Sequence, residues 1–275
     1  MYIRPALQKH LVALEGNISS LLNLKRTKDK APELSSNIIN KGGRRVGKKS
    51  YISIRQIDDK GNKVIKISTY PAEWAKFLIK YYSIPGDNLL DPFGNRGNIG
   101  FFANKLGRHV ILNDVVPLYV EGMRCLPRVR TDLRWECLGL DWGAKSLDFS
   151  ESVQAIITSP PYWNLEKYES VEKQASDFKA YDEFLSWYKR AIHNCYDVLE
   201  PGCFCIFTVS NFRREKKVVP LVEDTVRLFI EVGFNYHERG IFYMSAFNAF
   251  LHNTMAVRNR RLVKMHEEFV VGLKP

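Results

Sequence analysis

From Tyr70 to the last residue, short apolar runs alternate with longer amphipathic stretches, and this alternation restricts the fold more than any other property of the chain. The runs "NLLDPF", "HVILND", "VQAIIT", "CFCIFTVS" and "EEFVVGLK" carry the branched and aromatic residues that suit buried strands. Between them, "PAEWAKFLIKYYS", "NIGFFANKLG", "YDEFLSWYKRAIHNCYDVL" and "VVPLVEDTVRLFIEVG" repeat apolar residues at helical spacing. Pro71 sits at the first position of its helix, where a missing N–H costs no bond, and Pro201-Gly202 follows the end of another. Strands separated by helices this long join as crossovers, which parallel neighbours need. The expected fold is therefore α/β, a doubly wound, mostly parallel sheet spanning 69–275. Ahead of it, residues 1–68 form an extension of three parts. Leu11, Leu14, Ile18 and Leu21 predict a helix over 1 to about 30, a basic connector follows, and "YISIRQIDDKGNKVIKIS" predicts a β-hairpin turning at "DDKGN".

In open α/β sheets ligands bind beyond the carboxyl ends of the strands, so the residues after each strand are the informative ones. The first strand runs into "DPFGNRGN", Asp91 to Asn98, where glycines either let a ligand approach the backbone or simply make a tight turn. The second ends at Asn113-Asp114. An acidic residue there, 23 positions after Asp91, is placed for a ribose diol, or equally for a helix N-cap. A third loop, "LGLDWGAKSLD", holds Asp141 and Trp142, where a carboxylate can accept from an adenine amino group. Together these favour an adenosine-containing cofactor. Neither G-x-x-x-x-G-K-[ST] nor G-x-G-x-x-G is present, which argues against a phosphate-cradling loop and a nicotinamide dinucleotide. S-adenosylmethionine is an adenosine cofactor without a required phosphate.

After "VQAII" comes Thr158-Ser159-Pro160-Pro161-Tyr162-Trp163, a strand end stiffened by two prolines and carrying two aromatics. With "DPFGNRGN", this "TSPPYW" resembles the amino-methylating DNA methyltransferases, which modify cytosine N4 or adenine N6. Their loop is DPF-x-G-x-G and their catalytic motif [DNS]-P-P-[YFW]. The resemblance covers about 69 to 273, with "TYPAEW" matching their cofactor segment and "VLEPGCFCIFTVS" their L-x-P-G-G region. It implies the class I S-adenosylmethionine-dependent methyltransferase fold, a catalytic domain at 69–275, and a catalytic set of Ser159, Pro160, Pro161 and Tyr162. The cofactor residues it implies are Tyr70, Pro71, Trp74, Asp91, Pro92, Phe93, Gly94, Asn95, Gly97, Asn98, Asp114, Asp141 and Trp142. Ser159 Oγ and the Pro160 carbonyl are the expected acceptors for the target amine, with Tyr162 stacked on a flipped base and Trp163 beside it. A leading serine favours cytosine N4 over adenine N6. The chain departs from the family at Asn95, which replaces the first loop glycine and tolerates left-handed angles, and at Arg96, where a small residue is usual. Arg96 is expected either to face solvent or to meet the cofactor carboxylate.

Other chemistries lack their residues. No Pro-Cys dipeptide supports attack on cytosine C5, and the paired H-x-E and P-C-x-x-C of zinc deaminases is missing. The five cysteines form no C-x-x-C and are expected reduced, with no metal. A net charge of +11 fits a polyanionic partner, here DNA, with double-stranded DNA expected and a homodimer left open. Arg258, Arg260 and Arg261, the basic region 30–68 and the loop 164–181 are the candidate contacts. No apolar run reaches the length of a membrane span and no signal peptide opens the chain, so a cytoplasmic enzyme is expected, in restriction-modification, phage self-protection or epigenetic marking. An RNA methyltransferase and a non-catalytic DNA-binding module on the same fold are the competing readings.

Overall fold

A computed structural model describes residues 4–6, 21–22, 56–57, 63–64, 70–163, 178–243, 260 and 266–275. Its centre is an eight-stranded sheet. In chain order the strands are β1 (Leu21–Leu22), β4 (Asn88–Asp91), β5 (His109–Asn113), β6 (Trp135–Leu138), β7 (Val153–Thr158), β8 (Leu199–Val209), β11 (Asn235–Tyr243) and β12 (His266–Leu273). Their spatial order is β1-β11-β12-β8-β7-β4-β5-β6. The pairs β4–β5, β4–β7, β5–β6, β7–β8 and β1–β11 are parallel, while β12 runs antiparallel to both β8 and β11. Two small hairpins stand outside it: β2 (Gln56–Ile57) with β3 (Lys63–Val64), and β9 (Phe212–Arg214) with β10 (Lys217–Val219).

Among the described residues five helices cover the sheet: α1 (Ala72–Tyr82), α2 (Asn98–Lys105), α3 (Pro117–Arg124), α4 (Tyr181–Val198) and α5 (Leu221–Val232). The strands are apolar on both sides because both faces are covered. Val110 and Leu112 pack in one core with Leu78 and Phe102 of α1 and α2, while Ile111 between them packs in the other with Tyr188 and Ile192 of α4. Ala155 and Ile157 repeat this against Ile156, as do Phe204 and Ile206 against Cys205 and Phe207. Side chains of successive strand residues point to opposite faces, so one continuous apolar run feeds two cores.

The hairpin expected around "DDKGN" is the β2–β3 pair. Leu21, expected inside a helix, is instead extended in β1, hydrogen-bonded at the sheet edge beside Ile241 and Phe242. Pro5-Ala6 are helical as expected, and 7–20 and 23–30 lie outside the described residues. Pro201-Gly202 does follow the end of α4, at Val198. It lies inside β8, in the stretch where the register against β7 shifts, with Gly202 at φ 74°. Four elements had no clear sequence pattern: α3, β6, β11 and the β9–β10 hairpin. β11 reads "NYHERGIFY" because it lies near the sheet edge with most of its residues partly or fully exposed, so little apolar alternation marks it. Among the described residues no helix is long and apolar enough to cross a membrane.

Candidate active site

The chain builds β5 and β6 on one side of β4, then β7 on the other, so the order of strands reverses between β4 and β7. Loops diverge there and leave a crevice at the carboxyl ends. Two strand-end residues pin it: the Thr158 hydroxyl donates to Asp91 Oδ1 at 2.6 Å, and the Phe93 N–H donates to the same oxygen at 3.2 Å. Asp91 is almost wholly buried, and burial pushes its carboxyl up to about 7. It sits behind the cleft as a clamp between β4 and β7.

The glycine loop follows. The Gly97 N–H donates to the Gly94 carbonyl at 2.7 Å, closing a turn in which Asn95 adopts φ 45° and Gly97 φ 73°. Asparagine therefore holds the left-handed angle where the family carries glycine. A Cβ on Gly97 would lie 2.6 Å from Leu126 Cδ1, so that position is closed to side chains by contact as well as by backbone angle. The loop is stitched to the end of β5 by two bonds: Gly94 N–H to the Asn113 carbonyl at 2.7 Å, and Asn95 N–H to Asp114 Oδ2 at 3.0 Å. The Val116 N–H donates to Asp114 Oδ1 at 2.9 Å. Asp114 thus fixes the loop and its own helix entry together, and burial raises its carboxyl to about 6.

Asn113 closes the third side. Its Nδ2 donates to the carbonyls of Pro92 and Leu140, each at 3.0 Å, and its Oδ1 accepts from the Leu140 N–H at 2.8 Å. One buried amide thereby joins the loops after β4, β5 and β6. The loop "DWGA" is held from α4. Trp187 Nε1 donates to Asp141 Oδ1 at 3.1 Å, Arg190 Nε to the Gly143 carbonyl at 2.8 Å, and Asn194 Nδ2 to the Trp142 carbonyl at 2.7 Å. Gly143 has no room for a side chain, since a Cβ would stand 2.0 Å from Trp187 Nε1.

These ends enclose a cleft of about 590 Å³, partly open to solvent, walled by Phe93, Asn95, Asp114, Asp141, Trp142, Ser159 and Pro161. Seven expected site residues therefore share one cavity. Sequence reasoning missed Asn113 as a wall, together with Val115, Val116, Tyr119, Leu140 and Trp187. The pair Val115-Val116 directly after an acidic strand end was a readable signal, whereas Trp187 on α4 looks like any core aromatic. Pro92, Gly94, Gly97 and Asn98 support the loop rather than wall the cleft, and Asn98 Nδ2 donates to the Tyr70 carbonyl at 3.1 Å. Pro71 precedes α1, and Trp74 does not reach the cleft, its ring stacking on Phe242 at 4.6 Å in the core. The Tyr70 hydroxyl bonds with Thr208 Oγ1 at 2.7 Å.

At the corner, Thr158 is committed to Asp91, but among the described residues nothing hydrogen-bonds Ser159 Oγ or the Pro160 carbonyl. Tyr162 stacks on Phe212 at 5.7 Å with rings 6° from parallel, and its hydroxyl donates to Glu267 at 3.4 Å. Trp163 packs against Tyr181 and donates from Nε1 to the Phe178 carbonyl at 2.9 Å. Arg260 is exposed with φ 50°, while Arg258 and Arg261 lie outside the described residues, as do 164–177 of the candidate loop. Among the described residues no group of His, Cys, Asp or Glu is arranged to hold a metal ion.

Arg96 does not face solvent. It is buried, and neither its Nε nor its Nη2 has a partner among the described residues. Burial lowers its basicity, since the charged form loses water there. Arg96→Met keeps the stem and removes the charge, and is expected to raise the melting temperature of the ligand-free protein by about 3–8 °C in a thermal scan.

The sheet order and the cleft at its carboxyl ends are those of the class I S-adenosylmethionine-dependent methyltransferase fold. More specifically, the family model described as DNA methylase, of the N6/N4 type, matches residues 23–124 and 153–274, and the chain belongs to that family. No curated protein matches the sequence. Among solved structures, a chain of the complex between the Haloferax volcanii Trm112 methyltransferase activator and its methyltransferase is 15% identical, with 73% of this chain and 88% of that one covered and a TM-score of 0.50. A TehB-like S-adenosylmethionine-dependent methyltransferase from Corynebacterium glutamicum is 16% identical over 73% and 87% of the two chains, with a TM-score of 0.46. A Thermus thermophilus protein assigned as a DNA modification methylase is 22% identical over 46% and 47%, with a TM-score of 0.35.

The cofactor is S-adenosylmethionine, and the cleft fits it. Two buried polar atoms on its wall, Asn95 Oδ1 and Trp142 Nε1, have no partner among the described residues, and one accepts where the other donates. Adenosine offers hydroxyl and amino donors as well as ring-nitrogen acceptors, so it can satisfy both. Asp114 stands at the end of β5, where a ribose diol is taken in this fold. A diol donates best to an ionised carboxylate. Cofactor affinity is therefore expected to fall about tenfold as pH drops through the Asp114 transition near 6, and Asp114→Asn to flatten the profile. Calorimetric titration with S-adenosylhomocysteine across pH checks this.

Proposed function

We propose that this methyltransferase modifies an exocyclic amine of a base in double-stranded DNA, with cytosine N4 the favoured target and adenine N6 the alternative. The observation that carries the reading is that Ser159 and Pro161 wall the same cleft as Asp114, Asp141 and Trp142. Methyl donor and amine acceptor sites are then neighbours. When bound, S-adenosylmethionine supplies a methyl group on a sulfonium sulfur.

The protein's part is alignment. Ser159 Oγ and the Pro160 carbonyl, which no other described residue engages, accept the two amine hydrogens and draw nitrogen toward pyramidal geometry, which frees its lone pair from the ring. The rigid Pro160-Pro161 backbone holds these acceptors still, so little ordering is left for the moment of reaction. The amine proton released on transfer passes to an acceptor at the corner or to water. Tyr162, stacked on Phe212, is the ring against which a base extruded from the duplex is held. Serine at the head of the motif supports cytosine over adenine.

The test is nucleoside mass spectrometry of DNA from cells expressing the protein. N4-methylcytosine is the expected product. N6-methyladenine would move the target to the alternative, and methylation confined to RNA would refute the DNA assignment.

A further inference from the structure

The β9–β10 hairpin rises from Val209-Ser210-Asn211, at the same sheet edge as the corner, and carries four cations against one carboxylate: Arg213, Arg214, Lys216 and Lys217 with Glu215. Its register sorts these by face. Phe212 pairs with Val219 and Arg214 with Lys217, while Arg213 pairs with Val218 on the opposite side. The first side folds onto the corner: Phe212 stacks on Tyr162, and the Arg214 guanidinium lies 4.1 Å from the centre of the Trp163 ring. The hairpin is thus fastened to both aromatics of "TSPPYW".

Away from these two contacts both sides of the hairpin are open to solvent. Arg213, Lys216 and Lys217 are exposed, and among the described residues none of them is ion-paired with a carboxylate. Val218 beside them is 51% exposed. The tip, Glu215-Lys216, has φ 49° and 66°, the two-residue turn that normally takes Asn-Gly. Two non-glycine residues in left-handed angles cost stability, and such strain concentrates at functional sites. Here it places Lys216, beside Glu215, at a tip where glycine would carry no side chain.

We propose that this hairpin is a DNA-contacting element, with Arg213, Lys216 and Lys217 gripping phosphates of the duplex so that its base is delivered to Tyr162 and Ser159. The proposal rests on the reading of the corner as the site of DNA amino-methylation. Each cation that meets a phosphate releases a counterion, and the affinity then depends on salt.

The test is a salt titration of a fluorescent duplex oligonucleotide with the full chain and its R213A/K216A/K217A variant. Loss of three phosphate contacts is expected to weaken duplex binding tenfold or more and flatten the log-affinity against log-salt slope by roughly 2–3, with S-adenosylhomocysteine affinity unchanged. K217E gives the same direction without touching the turn, and K217R restores the wild-type slope. Wild-type affinity and slope in both the triple variant and K217E would overturn the proposal, as would a variant that loses structured-RNA binding but keeps duplex binding. A wild-type protein that binds no S-adenosylhomocysteine would instead overturn the reading of the cleft, and the hairpin's salt slope is read independently of that.

Discussion

Ser159→Ala lowers kcat by about 10²–10³-fold while S-adenosylhomocysteine binds within about threefold of wild type. The substitution removes one of two acceptors that act on the amine and leaves the Asp114, Asp141 and Trp142 wall untouched. Thr158 cannot substitute for it, because its hydroxyl is already given to Asp91. Single-turnover rates and calorimetry on the same preparation separate the two effects. If affinity and rate fell together, Ser159 would be acting on the cofactor rather than on the amine.

Asn113→Leu is the second large effect, and it works through architecture. The change strands two carbonyls and one N–H that the buried amide satisfies, in the loops after β4 and β6. Unpaired buried polar groups cost about 1–3 kcal/mol each, so a total near 3–5 kcal/mol and a fall of about 8–15 °C in Tm are expected. Cofactor affinity is lost with it, since the same amide fixes Phe93, Asp141 and Trp142 relative to one another. Thermal unfolding and titration of the folded fraction measure both. A variant that melts lower yet binds normally would show the three loops to be positioned independently.

The residues that proved legible are those in which position along the chain fixes position in space. Asp114, Asp141 and Ser159 each follow an apolar run, and in a parallel sheet every such run ends on the same edge. Asn95 was readable for a different reason, because a left-handed turn limits which residues can occupy it. Asp91, expected to bind the cofactor, instead stands behind the cleft, and only the contact with Thr158, across 67 positions of chain, shows it to be a clamp.

Trp187 and Tyr119 were hidden because a helix face that walls a cleft has the same spacing as one that walls a core. The hairpin was hidden because "NFRREKKVV" has strands of three residues, too short for alternation to stand out from a polar loop. Its partner aromatics, Tyr162 and Trp163, were visible, but what covers them depends on tertiary folding. Leu21 was misplaced for the converse reason, since apolar residues at helical spacing also suit a strand that pairs at a sheet edge.

The most direct test of the shared cleft is methyl transfer by the purified protein, using S-adenosylmethionine labelled in its methyl group and duplex DNA, with the nucleosides then resolved. The cleft and corner predict label on an exocyclic nitrogen, cytosine N4 before adenine N6, and its disappearance in Ser159→Ala at unchanged S-adenosylhomocysteine affinity. Label on a ring carbon, or undiminished transfer by Ser159→Ala, would contradict it.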